Sequence, residues 1–559
     1  MNDLAIRNAL ILDGSGGPPQ TGDVGVRDGR IISVGGRAEA ARETVDAAGL
    51  ALMPGIIDSH THLDAQLTWD PFADPCPAHG VTTVVIGNCG FTIAPCRSRD
   101  RDLTMRNLTQ VEGMPLSSLR AGIQWEFETF PEYLDMLTQR GVGLNVAAFV
   151  GHSAIRTYVL GADASRRPAT EAEIASMAEI VKQAVAAGAV GLSSTTNEPH
   201  NGEGGVPMPS RLAERGEFAA LARALGEAGC GVFMMTRGSQ TAIADIEALA
   251  ELSGRPMLIS GFLYNPANPA KASGFVRQIN EARARGRQMW GEVSCCPLTM
   301  DFTMEACYIF EGFPAWTAAS VPREQLPAVL ASPDFRARLK ADLETLRGQR
   351  AFNSEWHKLQ LLQAATEQFK VFEGRSIADI AQQQAKHPLD ALLDISLAED
   401  LKTEYTAALL NSDDAEVAKL IADRDTLITL SDAGAHVSLF CDAGFGLHLL
   451  ARWTRELGVF TLPEAVRKLT AQPAGIFGLG DRGRLLPGYA ADLLLFDPEK
   501  VGRSPNYRKR DLPGGAARLV SDSVGVHGVW INGIRAVDDK GAAIRGTDKP
   551  GQVLRSFQS

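Results

Sequence analysis

The chain lacks the features that would place it in a membrane, outside the cell or on nucleic acid. No apolar run approaches the roughly 20 residues needed to cross a bilayer, and no basic start leads into an apolar core and a small-residue cleavage site. Positive charge is not in excess: 55 Lys and Arg stand against 66 Asp and Glu, a formal net charge of −11. That balance argues against nucleic acid or an anionic membrane as the main partner. The eight cysteines (76, 89, 96, 230, 295, 296, 307, 441) follow no scaffold spacing, so they read as reduced thiols of a cytoplasmic protein. Gly-rich phosphate signatures, an exposed-serine elbow, internal repeats and low-complexity tracts are missing as well. Neither a phosphate cradle nor a serine nucleophile is therefore on offer.

What remains is a 559-residue chain with the 45% hydrophobic and 22% charged composition of a globular protein. It is long enough for a large barrel and a companion domain. Short strands broken by turns occupy the first fifty residues (4–12, 23–27, 30–34), and the same style returns at 491–496 and 525–532. The expectation is one small β-sandwich built from 1–51 and 484–559, through which the chain enters and leaves its middle.

Between these ends, apolar runs alternate with helical stretches such as 171–187, 214–228 and 272–285. The runs are 53–58, 81–86, 145–150, 189–194, 231–235, 256–260, 288–293 and 426–431. Eight of them predict a (β/α)8 TIM-like barrel over 52–483. The long gap before the eighth run contains Pro314, Pro322, Pro327 and Pro333, and predicts a mostly helical, lid-like insertion over about 299–424.

The chemistry should sit just past the C-terminal ends of barrel strands. The first run ends in Asp58-Ser59-His60-Thr61-His62. Residues i and i+2 of a strand point the same way, so both imidazoles can converge on one divalent cation. Cys89 follows the second run, and Asp432 follows the eighth in Ser431-Asp432-Ala433-Gly434-Ala435-His436. A cysteine after a strand is more often a packed thiol, and an aspartate there more often a helix N-cap. Beside the histidines they become metal-ligand candidates, and Asp432 a candidate general base.

These segments resemble the D-aminoacylase branch of the amidohydrolase superfamily, the N-acyl-D-amino-acid deacylases. The likeness also runs through Gly80 to Gly90, Val150-Gly151-His152-Ser153, Gly188 to Ser194 and Gly483 to Leu493. It implies that Cys89 contacts the metal centre, where other branches use a carboxylated lysine, and that Asp432 is the catalytic base. Two departures stand out. The family's strand-5 histidine phrase reads Met235-Thr236-Arg237 here, and its strand-6 histidine should stand near Ser260 or Gly261. Both ligands of the family's tightly held zinc are thus missing, as are the basic residue after the strand-6 histidine and the His/Arg-rich run after the strand-8 aspartate. One zinc per chain, held by His60, His62, Cys89 and Asp432, is the expected cofactor.

His152 and Arg156 after the third run, Glu198 after the fourth and Arg237 after the fifth are candidate substrate-binding residues. Glu292, inside the seventh run, is either barrel packing or part of the site. The expected activity is metal-dependent hydrolysis of a carbon–nitrogen amide bond in a small molecule. The alternatives are hydrolysis of cyclic amides or esters in the same barrel, and a metal-poor barrel with a binding role. A homo-oligomer is compatible with the sequence.

Overall fold

The computed structural model describes residues 1–345, 352–437 and 439–558, with the side chain of Tyr308 outside the described set. Two compact units emerge, one of residues 1–262, 274–295 and 418–559, the other of residues 263–273 and 296–417.

In the larger unit eight parallel strands follow one another in chain order: Ile56–Asp58, Val81–Ile86, Asn145–Gly151, Gly191–Thr195, Val232–Thr236, Met257–Ser260, Met289–Val293 and Thr426–Ile428. Each corresponds to one of the eight sequence runs. The first and eighth meet beyond their ends through a parallel bridge between Thr61 and Ala433, with the His62 amide donating to the Ala433 carbonyl at 2.8 Å. Nearly every residue of these strands is buried, the mark of a parallel sheet covered on both faces. The helices between them carry their own start and stop signals. Thr170 and Glu173 form a capping box at the head of Glu171–Ala186, and Gly229, in the left-handed region, ends Arg215–Ala228.

Strands from both termini join one mixed eight-stranded sheet. Leu493–Phe496 pairs antiparallel with Ala51–Pro54, which lies beside Asn2–Ile11. Its core includes Leu4, Ile6, Val24, Leu493 and Trp530. Not all of 484–559 lies in that sheet, contrary to expectation. The hairpin Tyr507–Arg510/Ala517–Val520 stands apart and donates from the Leu519 amide to the carbonyl of Val437, beside the loop after the eighth strand. Residues 552–554 run along the third barrel strand, where the Val146 amide donates to the Gln552 carbonyl and the Leu554 amide to the Val146 carbonyl, each at 2.8 Å. Such pairings join residues hundreds of positions apart and leave no local mark in the sequence.

The smaller unit holds the helices Leu326–Ala331, Pro333–Thr345, Ile377–Gln383 and Pro388–Ala398 around a three-stranded antiparallel sheet of Leu298–Phe302, Glu404–Leu410 and Leu359–Gln363. That sheet was not expected. Phe302, Phe310, Phe313 and Trp316 are buried in the unit's own core, so these aromatics stabilise the insertion and are not presented to a ligand.

Candidate metal centre

The first strand runs out into His60 and His62, both almost fully buried. The turn after the second strand brings a sulfur to them. Gly87 takes φ +81°, where a Cβ would lie 2.7 Å from the Phe149 carbonyl oxygen, so the turn requires glycine. Cys89 itself sits at φ +57°, an unusual backbone for a side-chain-bearing residue. The turn is held there by its neighbours: Asn88 Nδ2 donates to the carbonyls of Val85 (2.9 Å) and Thr61 (3.2 Å), and Ser193 Oγ accepts from the Gly90 amide. Strain that the surroundings over-determine in this way is typical of functional positions. Past the eighth strand, Asp432 also has positive φ (+46°). Its loop is anchored by Ser431 Oγ, which donates to Asp58 Oδ2 at 2.5 Å.

One nitrogen, one sulfur and one oxygen meet within hydrogen-bonding range. His60 Nε2 lies 3.5 Å from Cys89 Sγ and 3.3 Å from Asp432 Oδ1, and His62 Nε2 lies 3.7 Å from the same oxygen. Ligand atoms of His60, His62 and Cys89 all fall within 4.8 Å of one another. Zinc bonds of about 2.0–2.3 Å in a tetrahedron require ligand–ligand edges of roughly 3.4–3.7 Å. The donor types suit a divalent cation, and the three separations of 3.3–3.7 Å match such edges, with Asp432 outside the tighter group of His60, His62 and Cys89.

The far side of each imidazole faces a carboxylate. His60 Nδ1 is 2.9 Å from Glu292 Oε2, and His62 Nδ1 is 2.9 Å from Glu112 Oε1, though the latter contact is poorly aligned for a hydrogen bond. Carboxylates in that position fix the ring and raise its basicity toward a metal. Burial alone would lower both histidine pKa values. The facing carboxylates and Cys89 outweigh it and raise them in the metal-free protein. Burial would likewise raise the Cys89 thiol, but His60 and His62 hold it below its ordinary range, and Thr236 Oγ1 donates to the sulfur at 3.1 Å. Asp432 is held strongly ionised against its burial by His62 and His60, while its side chain stays about 25% exposed. A thiolate and an ionised carboxylate are forms a divalent cation takes directly, and the two oriented imidazoles would release a proton to become ligands.

The other candidates divide. Glu292 belongs to the site by facing His60. Glu112 was not singled out in the sequence: it caps the helix Arg101–Val111, far in the chain from any ligand, and only the fold brings it to His62. Thr236, in the phrase that lacks the histidine, bonds the site sulfur instead.

His152 and Arg156 are engaged in a buried network of their own. His152 is fully buried, its Nδ1 on Ser194 Oγ at 2.8 Å and its Nε2 on Glu217 Oε1 at 2.7 Å. Arg156 is equally buried against the other Glu217 oxygen and the carbonyls of Ala164 and Arg167. This network ties the helix His152–Leu160, after the third strand, to Arg215–Ala228 and buries both side chains. Glu198 accepts from the Ser239 amide (2.8 Å) and hydroxyl (2.7 Å), away from the cluster. Arg237 is half-buried, its guanidinium 4.1 Å from the Phe275 ring centroid and its Nε on the Thr241 carbonyl.

An uncharacterised protein of Mycobacterium tuberculosis (strain ATCC 25618 / H37Rv) is 30% identical over 562 aligned positions, covering 93% of this chain and 89% of that protein. The D-aminoacylase of Alcaligenes xylosoxydans xylosoxydans is 29% identical, covering 95% and 93%. Among solved structures, the N-acyl-D-glutamate deacylase of Bordetella bronchiseptica, in complex with zinc and a phosphonate mimic of the tetrahedral intermediate, superposes with a TM-score of 0.66 at 25% identity, covering 99% of this chain and 100% of that one. The model of the amidohydrolase family matches residues 43–537, and on that extent the chain belongs to the amidohydrolase family.

Proposed function

We propose that this protein is a metal-dependent hydrolase of the carbon–nitrogen bond in N-acyl amino acids or closely related amides. The observation that carries the reading is the grouping of His60, His62 and Cys89 ligand atoms within 4.8 Å of one another, with Asp432 Oδ1 3.3 and 3.7 Å from the two Nε2 atoms, in a chain whose relatives include deacylases. His60, His62, Cys89 and Asp432 would hold one zinc, which when bound polarises the scissile carbonyl and acidifies water. Asp432 is ionised and partly exposed, so a carboxylate oxygen is open to water beside the two histidines. It accepts the proton of the attacking water and returns it to the leaving nitrogen. Glu292 and Glu112 hold the two imidazoles in the ring orientation that keeps Nε2 turned inward. Arg237, whose charge is not matched by a carboxylate contact, is the residue proposed to meet an anionic group of the substrate. We place the enzyme in the cytoplasm, in keeping with buried thiols such as Cys76, Cys96 and Cys441; among the described residues no helix is long and apolar enough to cross a membrane. The 52–483 segment is proposed as the catalytic domain, supported on the sheet that both termini share.

The test combines metal analysis with a substrate panel. Protein reconstituted with zinc should hold about one equivalent, and chelation should abolish turnover that zinc then restores. N-acyl-D- and N-acyl-L-amino acids are compared with uncharged aryl amides, cyclic amides and esters. Without the family's strand-6 basic residue, N-acetyl-D-amino acids should turn over less well than bulkier, less acidic amides. No metal uptake, or turnover indifferent to chelation, overturns the reading.

A further inference from the structure

A second cavity lies outside the barrel, behind the fifth strand. It has a volume of about 550 Å³ and opens between the helices Arg215–Ala228 and Ile243–Ser253 and the loops that precede them. Its size is that of a small-molecule pocket. The floor is apolar, built from Phe218, Ala219, Met235, Leu249 and Leu252, and Leu252 is left 37% exposed.

The rim carries both signs of charge, but they are not equally committed. Glu198 is satisfied by the amide and hydroxyl of Ser239, and Asp245 accepts from the Ala242 amide as well as from Arg215. Arg211 uses its NH1 on the His200 carbonyl and Asn201 Oδ1, and Arg215 has one ion-pair partner while its side chain is 91% exposed. A guanidinium offers five donors, so the spare hydrogen-bonding capacity at the rim is cationic.

We propose that this pocket binds an alkyl carboxylate, with the chain on the Phe218–Met235–Leu249 floor and the head group on Arg211 and Arg215. Met235 directly precedes Thr236, whose hydroxyl bonds Cys89 Sγ, so the ligand sits one residue behind a group that touches the metal-centre sulfur. The site is separate from that centre and does not depend on the activity proposed above.

The test is calorimetric titration of the zinc-loaded full chain with sodium hexanoate, octanoate and decanoate. One saturable site is expected, tightening about fourfold for each added methylene. Octan-1-ol and octylamine should bind at least about tenfold more weakly than octanoate, since neither offers a charge for the arginines. Ala219→Trp, which fills the floor, and Leu252→Lys, at an exposed position, should each weaken octanoate at least tenfold, and Arg215→Glu should remove the preference over octanol. Metal-free protein should bind octanoate as the loaded protein does. Binding that disappears with the metal while both floor variants bind normally would locate the carboxylate at the zinc and overturn the proposal. So would an affinity for octanol equal to that for octanoate, or no saturable binding by any of the three acids.

Discussion

Two buried histidine–carboxylate arrangements sit at the C-terminal ends of the same barrel, and among the described residues just one of them leaves imidazole nitrogens facing a thiol and a second carboxylate. At the first strand, His60 and His62 each turn Nδ1 toward a carboxylate and keep Nε2 turned toward Cys89 and Asp432. At the third, His152 spends both nitrogens, one on Ser194 and one on Glu217, and Glu217 spends its second oxygen on Arg156. Burial, residue type and position at a strand end are shared. What differs is the lone pair left over. A saturated network is a structural clamp, whereas an oriented imidazole with a spare nitrogen is a ligand.

The largest effects should come from cutting each arrangement. His60→Ala or His62→Ala should bring metal content to near zero and turnover to background, and should also lower stability, since each leaves a buried carboxylate, Glu292 or Glu112, without its imidazole. His152→Ala should lower stability alone. It leaves Glu217 and Arg156 buried without part of their network, at a cost on the order of 3–5 kcal/mol of stability, with metal content preserved. Metal analysis and denaturant titration of these variants check the contrast, and equal metal loss in all three would erase the distinction.

Next in size is the separation of ligand from base. Asp432→Asn keeps an oxygen near His60 and His62 but removes the proton acceptor. Metal should stay bound while kcat falls about 100- to 10,000-fold. Retention of most turnover would move the base role to another residue.

Much of this division was legible in the sequence, and the illegible part has a physical reason. The eight strands announced themselves as apolar runs, because a strand buried on both faces has no polar alternation. The His-x-His pair, Cys89 and Asp432 were readable because their meaning lies in the strand ends they follow. His152 and Arg156 looked equivalent to them, since hydrogen-bond saturation is a tertiary property that no local pattern encodes. Glu292 was visible as an acid inside an apolar strand. Glu112 was not, because its one relevant contact joins residues 50 positions apart. The small sheet of the insertion was hidden for a similar reason: its strands Leu298–Phe302 and Glu404–Leu410 pair across about a hundred residues.

The supporting carboxylates sharpen the comparison at a smaller scale. Glu292→Gln preserves shape and can still accept from His60, but removes the charge that strengthens the imidazole. Zinc affinity should fall about 10- to 100-fold, read from competition with a chelator, while the fully loaded variant keeps its metal stoichiometry. Unchanged affinity would reduce Glu292 to barrel packing.

The smallest effect isolates burial without a carboxylate. His79 is fully buried, with Nε2 3.0 Å from the Ser521 carbonyl and no acid in contact, and burial, helped by Arg503, lowers its pKa to about 4. The unfolded chain, with an ordinary histidine pKa near 6.5, therefore binds a proton that the folded one refuses between about pH 4 and 6.5. The contribution of neutral His79 to stability is complete above pH 6.5, declines as the pH falls through that window, and levels off below about pH 4. Its full extent is roughly 3 kcal/mol by linkage. His79→Gln keeps a donor for the Ser521 carbonyl and cannot titrate, so its denaturation midpoint should decline less than that of the wild type between pH 6.5 and 4.5. Parallel pH profiles for the two proteins would mean that His79 does not stay neutral on folding, and that burial without a carboxylate does not set a histidine's charge at this position.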